Sequence, residues 1–102
     1  MYESRAIGHY IATKYADQGT SGLIPTEIKA FGLFQQACSV EEWNFQTHAG
    51  KANFELFVKP LFGLVSDRVA FDGYIASVGK TLDVYEQILS KQKYLAGDVR
   101  VF

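Results

Sequence analysis

The chain has 102 residues, 48% of them apolar, 21% charged and 15% aromatic, with a formal net charge of −1. That balance suits one small folded domain or part of a larger one, excludes intrinsic disorder on composition, and gives no reason to expect nucleic acid or an anionic membrane as partner. Such a length buries only about two-thirds of the unfolded surface, so the stability margin is narrow.

The periodicity is helical from the start. Ile7, Tyr10, Ile11 and Tyr15 form one apolar stripe with Lys14 and Asp17 off it, which predicts a helix from about Ser4 to Ala16. Gln18-Gly19-Thr20-Ser21-Gly22 reads as a loop. Pro25-Thr26-Glu27 is a helix-start signal, because proline suits the first turn and an acidic side chain there suits the dipole. The second helix is expected over about Thr26–Trp43, with Ala30, Phe31, Leu33, Phe34, Ala37 and Cys38 on its apolar face.

Asn44-Phe45-Gln46-Thr47 breaks that pattern, and a third helix follows with Ala52, Phe54, Leu56, Phe57, Leu61 and Leu64 as its apolar positions. Pro60 is expected to kink it and Gly63 to stop it. Ser66-Asp67 supplies an N-cap for the clearest helix, in which Val69, Phe71, Tyr74, Ile75, Val78, Leu82, Tyr85, Ile88 and Leu89 recur at three and four. Gly73 and Gly79 inside it each cost ~1 kcal/mol relative to alanine, and close helix packing is the expected reason. Gly97-Asp98 ends the pattern, and Val99-Arg100-Val101-Phe102 is too short for an element. The reading is all-α, four helices with short connections.

Few residues point to chemistry. Cys38 alone makes neither a disulfide nor a zinc site and reads as a buried thiol. His9 and His48 lack metal-spaced partners, and no metal is expected. Trp43 closes the second helix, where packing or dimer burial is the ordinary role. No run approaches the roughly 18 apolar residues of a membrane span, and the first residues lack a signal-peptide layout, so the cytosol is the default compartment. The informative group is Glu3-Ser4 ahead of the first stripe. A helix start presents unpaired N–H groups and positive partial charge. Ser4 can cap it, or donate to an external carboxylate while Glu3 accepts from an ammonium; together they suit a zwitterionic amino-acid end.

Glu3-Ser4-Arg5-Ala6-Ile7 with Tyr10-Ile11-Ala12 and Lys14-Tyr15-Ala16 resembles the last strand-to-helix turn of the glutathione-binding domain of glutathione transferases, the phi-like plant and fungal members best. Leu23-Ile24-Pro25 resembles their interdomain linker. Phe57-Val58-Lys59-Pro60-Leu61-Phe62-Gly63-Leu64 resembles the end of their fourth helix. Leu82-Asp83-Val84-Tyr85-Glu86, Leu89-Ser90-Lys91 and Tyr94-Leu95-Ala96-Gly97-Asp98 resemble the end of the fifth helix and the turn beyond.

The resemblance implies a helical bundle like the first half of the transferase C-terminal domain, preceded by the last helix of the thioredoxin-like domain. Residues 1–18 would end the glutathione-binding domain, 19–25 form the linker and 26–102 begin the helical domain. It implies that Glu3 and Ser4 bind the γ-glutamyl end of glutathione, a co-substrate rather than a cofactor, for conjugation to a hydrophobic electrophile in detoxification. Phe54, Phe57 and Phe62 would be walls of the acceptor pocket, although core packing is their ordinary role. The family's catalytic Ser and cis-proline loop have no counterpart in these residues, so no catalytic residue is assigned. The ending at Phe102, where the family continues, is expected of a truncation, an alternative reading of a gene or a degenerate copy. A homodimer, pairing with a full-length transferase, or a non-catalytic helical module binding a partner protein are the associations in view. Missing layers would leave Phe31 and Phe34, or Val78, Leu82 and Tyr85, uncovered.

Overall fold

The computed structural model describes residues 1–97. Its regular backbone is helical: α1 (Ser4–Lys14), α2 (Ile28–Val40), α3 (Thr47–Asn53), α4 (Lys59–Leu61) and α5 (Arg68–Leu89), with π-helical turns at Glu41–Gln46 and Phe54–Val58 flanking α3. Among the described residues there is no strand, only a lone antiparallel bridge between Tyr94 and Gly97. The all-α expectation is met. Asp98 and Val99-Arg100-Val101-Phe102 lie outside the described residues. The chain divides into two compact units, Met1–Cys38 with the stretch from Gln92 onward, and Ser39–Lys91, so that the division falls within α2.

In the first unit, α1 ends two residues before its expected limit, and the Lys14 ammonium lies 5.4 Å from the ring centres of both Tyr10 and Tyr15. α2 begins two residues after the expected Thr26 because Glu27 takes the capping position. Its carboxylate oxygens accept the Lys29 N–H at 2.9 Å and the Ala30 N–H at 2.7 Å. That answers orphan amides which a helix cannot pair internally. Phe34 is completely buried, with the His9 ring centred 5.3 Å away, so the expectation that Phe34 lies uncovered fails, while Phe31 does remain exposed. Burying such a ring is worth roughly 1.5–3 kcal/mol. After Gln92 the chain closes a turn in which Tyr94 and Gly97 exchange backbone hydrogen bonds of 3.1 and 3.0 Å. The Gln92 side-chain amide donates to the Tyr94 and Leu95 carbonyls, and Ala96 is buried.

In the second unit the expected break at Asn44-Phe45-Gln46-Thr47 is not a break. The backbone stays helical and widens to π geometry. A π turn inserts an extra residue without ending the helix, and so absorbs the phase slip between the apolar positions before Trp43 and those from Phe45 onward. Side chains serve the carbonyls there: the Thr47 hydroxyl donates to the Glu42 carbonyl at 3.1 Å, and the Thr81 hydroxyl to the Asn44 carbonyl at 3.0 Å. The second π turn precedes Pro60. The Lys59 N–H donates to the Phe54 carbonyl, five residues back. The Glu55 carbonyl would then face residue 60, and proline has no N–H to offer. The Ser66 hydroxyl fills that vacancy at 2.6 Å. Pro60 thus widens the helix instead of simply bending it. Gly63, at φ 71°, ends α4, its N–H reaching the Pro60 carbonyl and the Leu64 N–H the Lys59 carbonyl. A left-handed residue closing a helix in this way is ordinarily glycine.

Asp67 caps α5 as expected, its carboxylate accepting the Ala70 N–H at 2.9 Å. α3 packs on α5 with Ala52 buried between elements, and Phe45 stacks obliquely on Tyr85 at 6.4 Å. Gly73 and Gly79 do not mark close packing: a Cβ at either would meet nothing within 4 Å. Trp43 is not a packing residue in this unit, being 72% exposed. On α5, Val78 and Tyr85 are half-buried, and only Leu82 of that stripe is exposed.

Candidate functional site

The start of α1 is built unlike an ordinary cap. Glu3, not Ser4, occupies the N-cap position, with φ 72° and ψ 111°, and no side chain caps the first turn. Glu3 is the only non-glycine residue at positive φ among the described residues. Such a backbone costs on the order of 1–3 kcal/mol and persists where its surroundings or its role require it. The Glu3 carbonyl accepts the Ile7 N–H at 3.0 Å, which fixes the turn. Ser4 becomes the first helical residue, so the expectation that its hydroxyl caps the helix is not met. Both side chains are exposed. The group that results is a carboxylate and a hydroxyl on adjacent residues at the positive end of an 11-residue helix.

Of the three candidate aromatic walls, the second unit leaves all exposed: Phe54 by 46%, Phe57 by 64% and Phe62 by 73%. Phe54 alone lines a concavity of ≈ 390 Å³, together with Gly50, Lys51, Glu55, Lys59 and Tyr74. Phe57 and Phe62 lie outside that lining.

Glu55, which sequence reasoning missed, is buried in its floor and ties three elements. Its Oε2 accepts the Lys59 ammonium at 2.7 Å and the Asp67 N–H at 2.8 Å. The Lys59 hydrogen bond first, then that of the Asp67 amide, holds its carboxyl below the ordinary 4.5. The i,i+4 spacing of Glu55 and Lys59 was a legible signal for the pair; the return of Ser66-Asp67 onto it was not. The amides of Lys29 and Ala30 hold Glu27 below its ordinary value likewise.

Two buried polar atoms, His48 Nδ1 and the Tyr85 hydroxyl, have no hydrogen-bond partner among the described residues. Burial, and then the Glu41 carboxylate, push the Tyr85 hydroxyl above its ordinary value. Cys38 is half-buried. No group of histidine, cysteine or acidic side chains among the described residues could hold a metal, and no described helix is long and apolar enough to cross a membrane. Leu23 and Ile24 of the expected linker are half-buried and line a small cavity of ≈ 110 Å³ with Ala12, Thr13 and Ala16.

No protein-family model matches the chain. Individual relatives do. A glutathione S-transferase of Hyoscyamus muticus is 41% identical over 98 residues, covering 96% of this chain and 46% of the relative. One of Hypomyces subiculosus is 44% identical over 101 residues, covering 96% and 47%. Among solved structures, a glutathione transferase from Populus trichocarpa superposes with a TM-score of 0.88 at 34% identity, covering 99% of this chain and 47% of that one. Glutathione S-transferase I from maize, solved in complex with an atrazine glutathione conjugate, gives a TM-score of 0.86 at 27% identity, covering 99% and 46%. The chain spans about half the length of the curated relatives it matches.

Proposed function

Because the chain is related to the glutathione S-transferases over 96% of its length, we propose that it forms the γ-glutamyl end of a phi-like glutathione site. The whole protein would conjugate reduced glutathione to hydrophobic electrophiles. The observation that carries this reading is the positive φ of Glu3 at an uncapped helix start. A strained backbone that gains no cap needs another reason, and ligand geometry supplies one.

The amides of the first turn and the Ser4 hydroxyl take the γ-glutamyl carboxylate; the Glu3 carboxylate takes the ammonium. Thiolate activation falls to a hydroxyl outside these residues, as in the family's pattern, so no catalytic role is given to this chain. Phe54 forms part of the acceptor wall, with Phe57 and Phe62 as outlying members. Residues 1–18 end the glutathione-binding domain, 19–25 link, and 26–102 begin the helical domain. The setting is cytosolic detoxification, with pairing to a second copy or to a full-length transferase.

The exposure of Trp43, Leu61, Phe62 and Val69, by 72%, 80%, 73% and 84%, favours a second reading, a non-catalytic helical module that docks on a partner protein. The two readings separate in one experiment. The chain is joined to the N-terminal half of a matched relative and titrated with glutathione. Ser4→Ala or Glu3→Gln should weaken binding by ~1.5–3 kcal/mol, roughly ten- to a hundredfold, because each removes a hydrogen bond to a charged group. Unchanged affinity in both variants would overturn the γ-glutamyl role of Glu3 and Ser4.

A further inference from the structure

We propose that the cavity between the end of α1 and the segment that follows it takes a small neutral molecule with one hydrogen-bond donor, of the size of a short-chain alcohol. Ala12, Thr13 and Ala16 line one side, and Thr20, Leu23 and Ile24 the other. All of them belong to the first compact unit. The volume is ≈ 110 Å³. Pockets for larger ligands usually begin at about 300 Å³, whereas an apolar cavity of about 150 Å³ takes a single benzene ring. A guest of roughly four or five carbons is what this space fits.

The chemistry of the lining decides the rest. Among the described residues no ionisable side chain lines the cavity, so a charged guest would give up its water with nothing to replace it. The need for a donor comes from the end of α1. The Tyr15 N–H reaches the Ile11 carbonyl at 3.0 Å, and the next N–H to turn back, that of Gln18, reaches the Tyr15 carbonyl at 3.0 Å. The carbonyls of Ala12 and Thr13, both lining residues, therefore accept no backbone N–H among the described residues. Orphan carbonyls at a helix end take a donor from elsewhere. The opposite wall supplies none. Residues 19–26 make no hydrogen bond among the described residues, and that wall rests on the half-burial of Leu23 and Ile24. A guest hydroxyl that donates to the end of α1, with its carbons against Leu23 and Ile24, links the two walls and steadies the second. None of these residues enters the glutathione reading.

The test uses the 102-residue chain and four probes: 1-butanol, its isomer 1-methoxypropane, which has no donor, butyrate and butylammonium. Binding is followed by NMR on the Ala12, Ala16, Leu23 and Ile24 signals. Butanol should shift all four and slow amide exchange at Leu23 and Ile24. The ether should bind about two- to tenfold more weakly, the yield of one hydrogen bond, and each ion at least about tenfold more weakly. Ala16→Leu, whose added carbons fill the space, should abolish butanol binding. The parent should prefer butanol to 1-hexanol, and Leu23→Ala, which enlarges the cavity, should reverse that order. Unmoved signals from α5 show that each variant keeps its fold. Silence of the four signals to butanol, or binding that Ala16→Leu leaves unchanged, would overturn the site. An ether bound as tightly as butanol would overturn the donor requirement, and an ion bound as tightly would overturn the preference for a neutral guest. Exchange that butanol does not slow would overturn the linking of the two walls. No glutathione is present, so no result depends on Glu3 and Ser4.

Discussion

Replacing Ser66 with alanine removes the hydroxyl that donates to the Glu55 carbonyl at 2.6 Å. In an unbroken α-helix that change at an exposed position would cost little. Here the carbonyl has lost its normal donor, because the Lys59 amide is engaged with Phe54 and residue 60 is proline. A hydrogen bond nets ~0.5–1.5 kcal/mol, whereas a buried acceptor left unmet costs ~1–3 kcal/mol. The bond is only part-buried, so water recovers some of the loss and Ser66→Ala should cost about 1 kcal/mol. For a chain of this size that lowers the melting temperature by roughly 4–8 °C. Pro60→Ala restores an N–H that can reach the same carbonyl. In that background Ser66→Ala should cost no more than about 0.5 kcal/mol, a coupling between the two sites that a double-mutant cycle isolates. Urea denaturation of the four proteins, with slopes held equal, gives the result. The same cost in both backgrounds would refute the claim that Pro60 creates the vacancy Ser66 fills.

The depressed Glu55 carboxyl contributes stability that is present above its unfolded value of about 4.5 and is lost as the pH falls through the lower folded value. Denaturation between pH 7 and pH 3 should therefore show parent and Glu55→Gln converging below about pH 4.5, and a constant gap would contradict the pairing. Phe34→Ala should cost ~3–5 kcal/mol, a large share of the stability of so small a chain, while Phe34→Leu costs less than ~1.5 kcal/mol; a loss below about 1 kcal/mol for alanine would contradict full burial. Gly73→Ala and Gly79→Ala should each raise stability by ~0.5–1 kcal/mol in thermal melts, since the added methyl meets open space and the helix gains propensity. A drop in either would mean that a neighbouring element approaches there.

The helices were legible because their signals are local. The stripe from Val69 to Leu89 and the Ser66-Asp67 cap placed α5 to within a residue at each end. Glu27 announced α2, though its own side chain moved the start past Thr26. The π turns were not legible, since a phase slip in the apolar pattern looks the same whether the helix stops or widens. What chose widening was tertiary: the Thr81 hydroxyl on the Asn44 carbonyl and the Ser66 hydroxyl on the Glu55 carbonyl come from positions 37 and 11 residues away. Glu3 and Ser4 were visible as a pair, but the strain that separates a ligand site from a plain cap is a dihedral angle, and no residue pattern prints it. Phe54, Phe57 and Phe62 share a periodicity with core residues, so their exposure could be read only from the fold. Lys51 and Tyr74 lie 23 positions apart and meet only because α3 packs on α5.

The central claim, that Glu3 and Ser4 read the γ-glutamyl end of glutathione, is tested most directly by removing that end from the ligand. The chain joined to the N-terminal half of a matched relative is titrated calorimetrically with glutathione and with cysteinylglycine, which lacks the γ-glutamyl group. The parent should prefer glutathione by at least about tenfold, the yield of one charge-assisted hydrogen bond. In the Glu3→Gln, Ser4→Ala double variant that preference should fall at least about tenfold, leaving what the first-turn amides contribute, with cysteinylglycine bound as in the parent. A preference for glutathione undiminished by the double substitution would contradict the assignment.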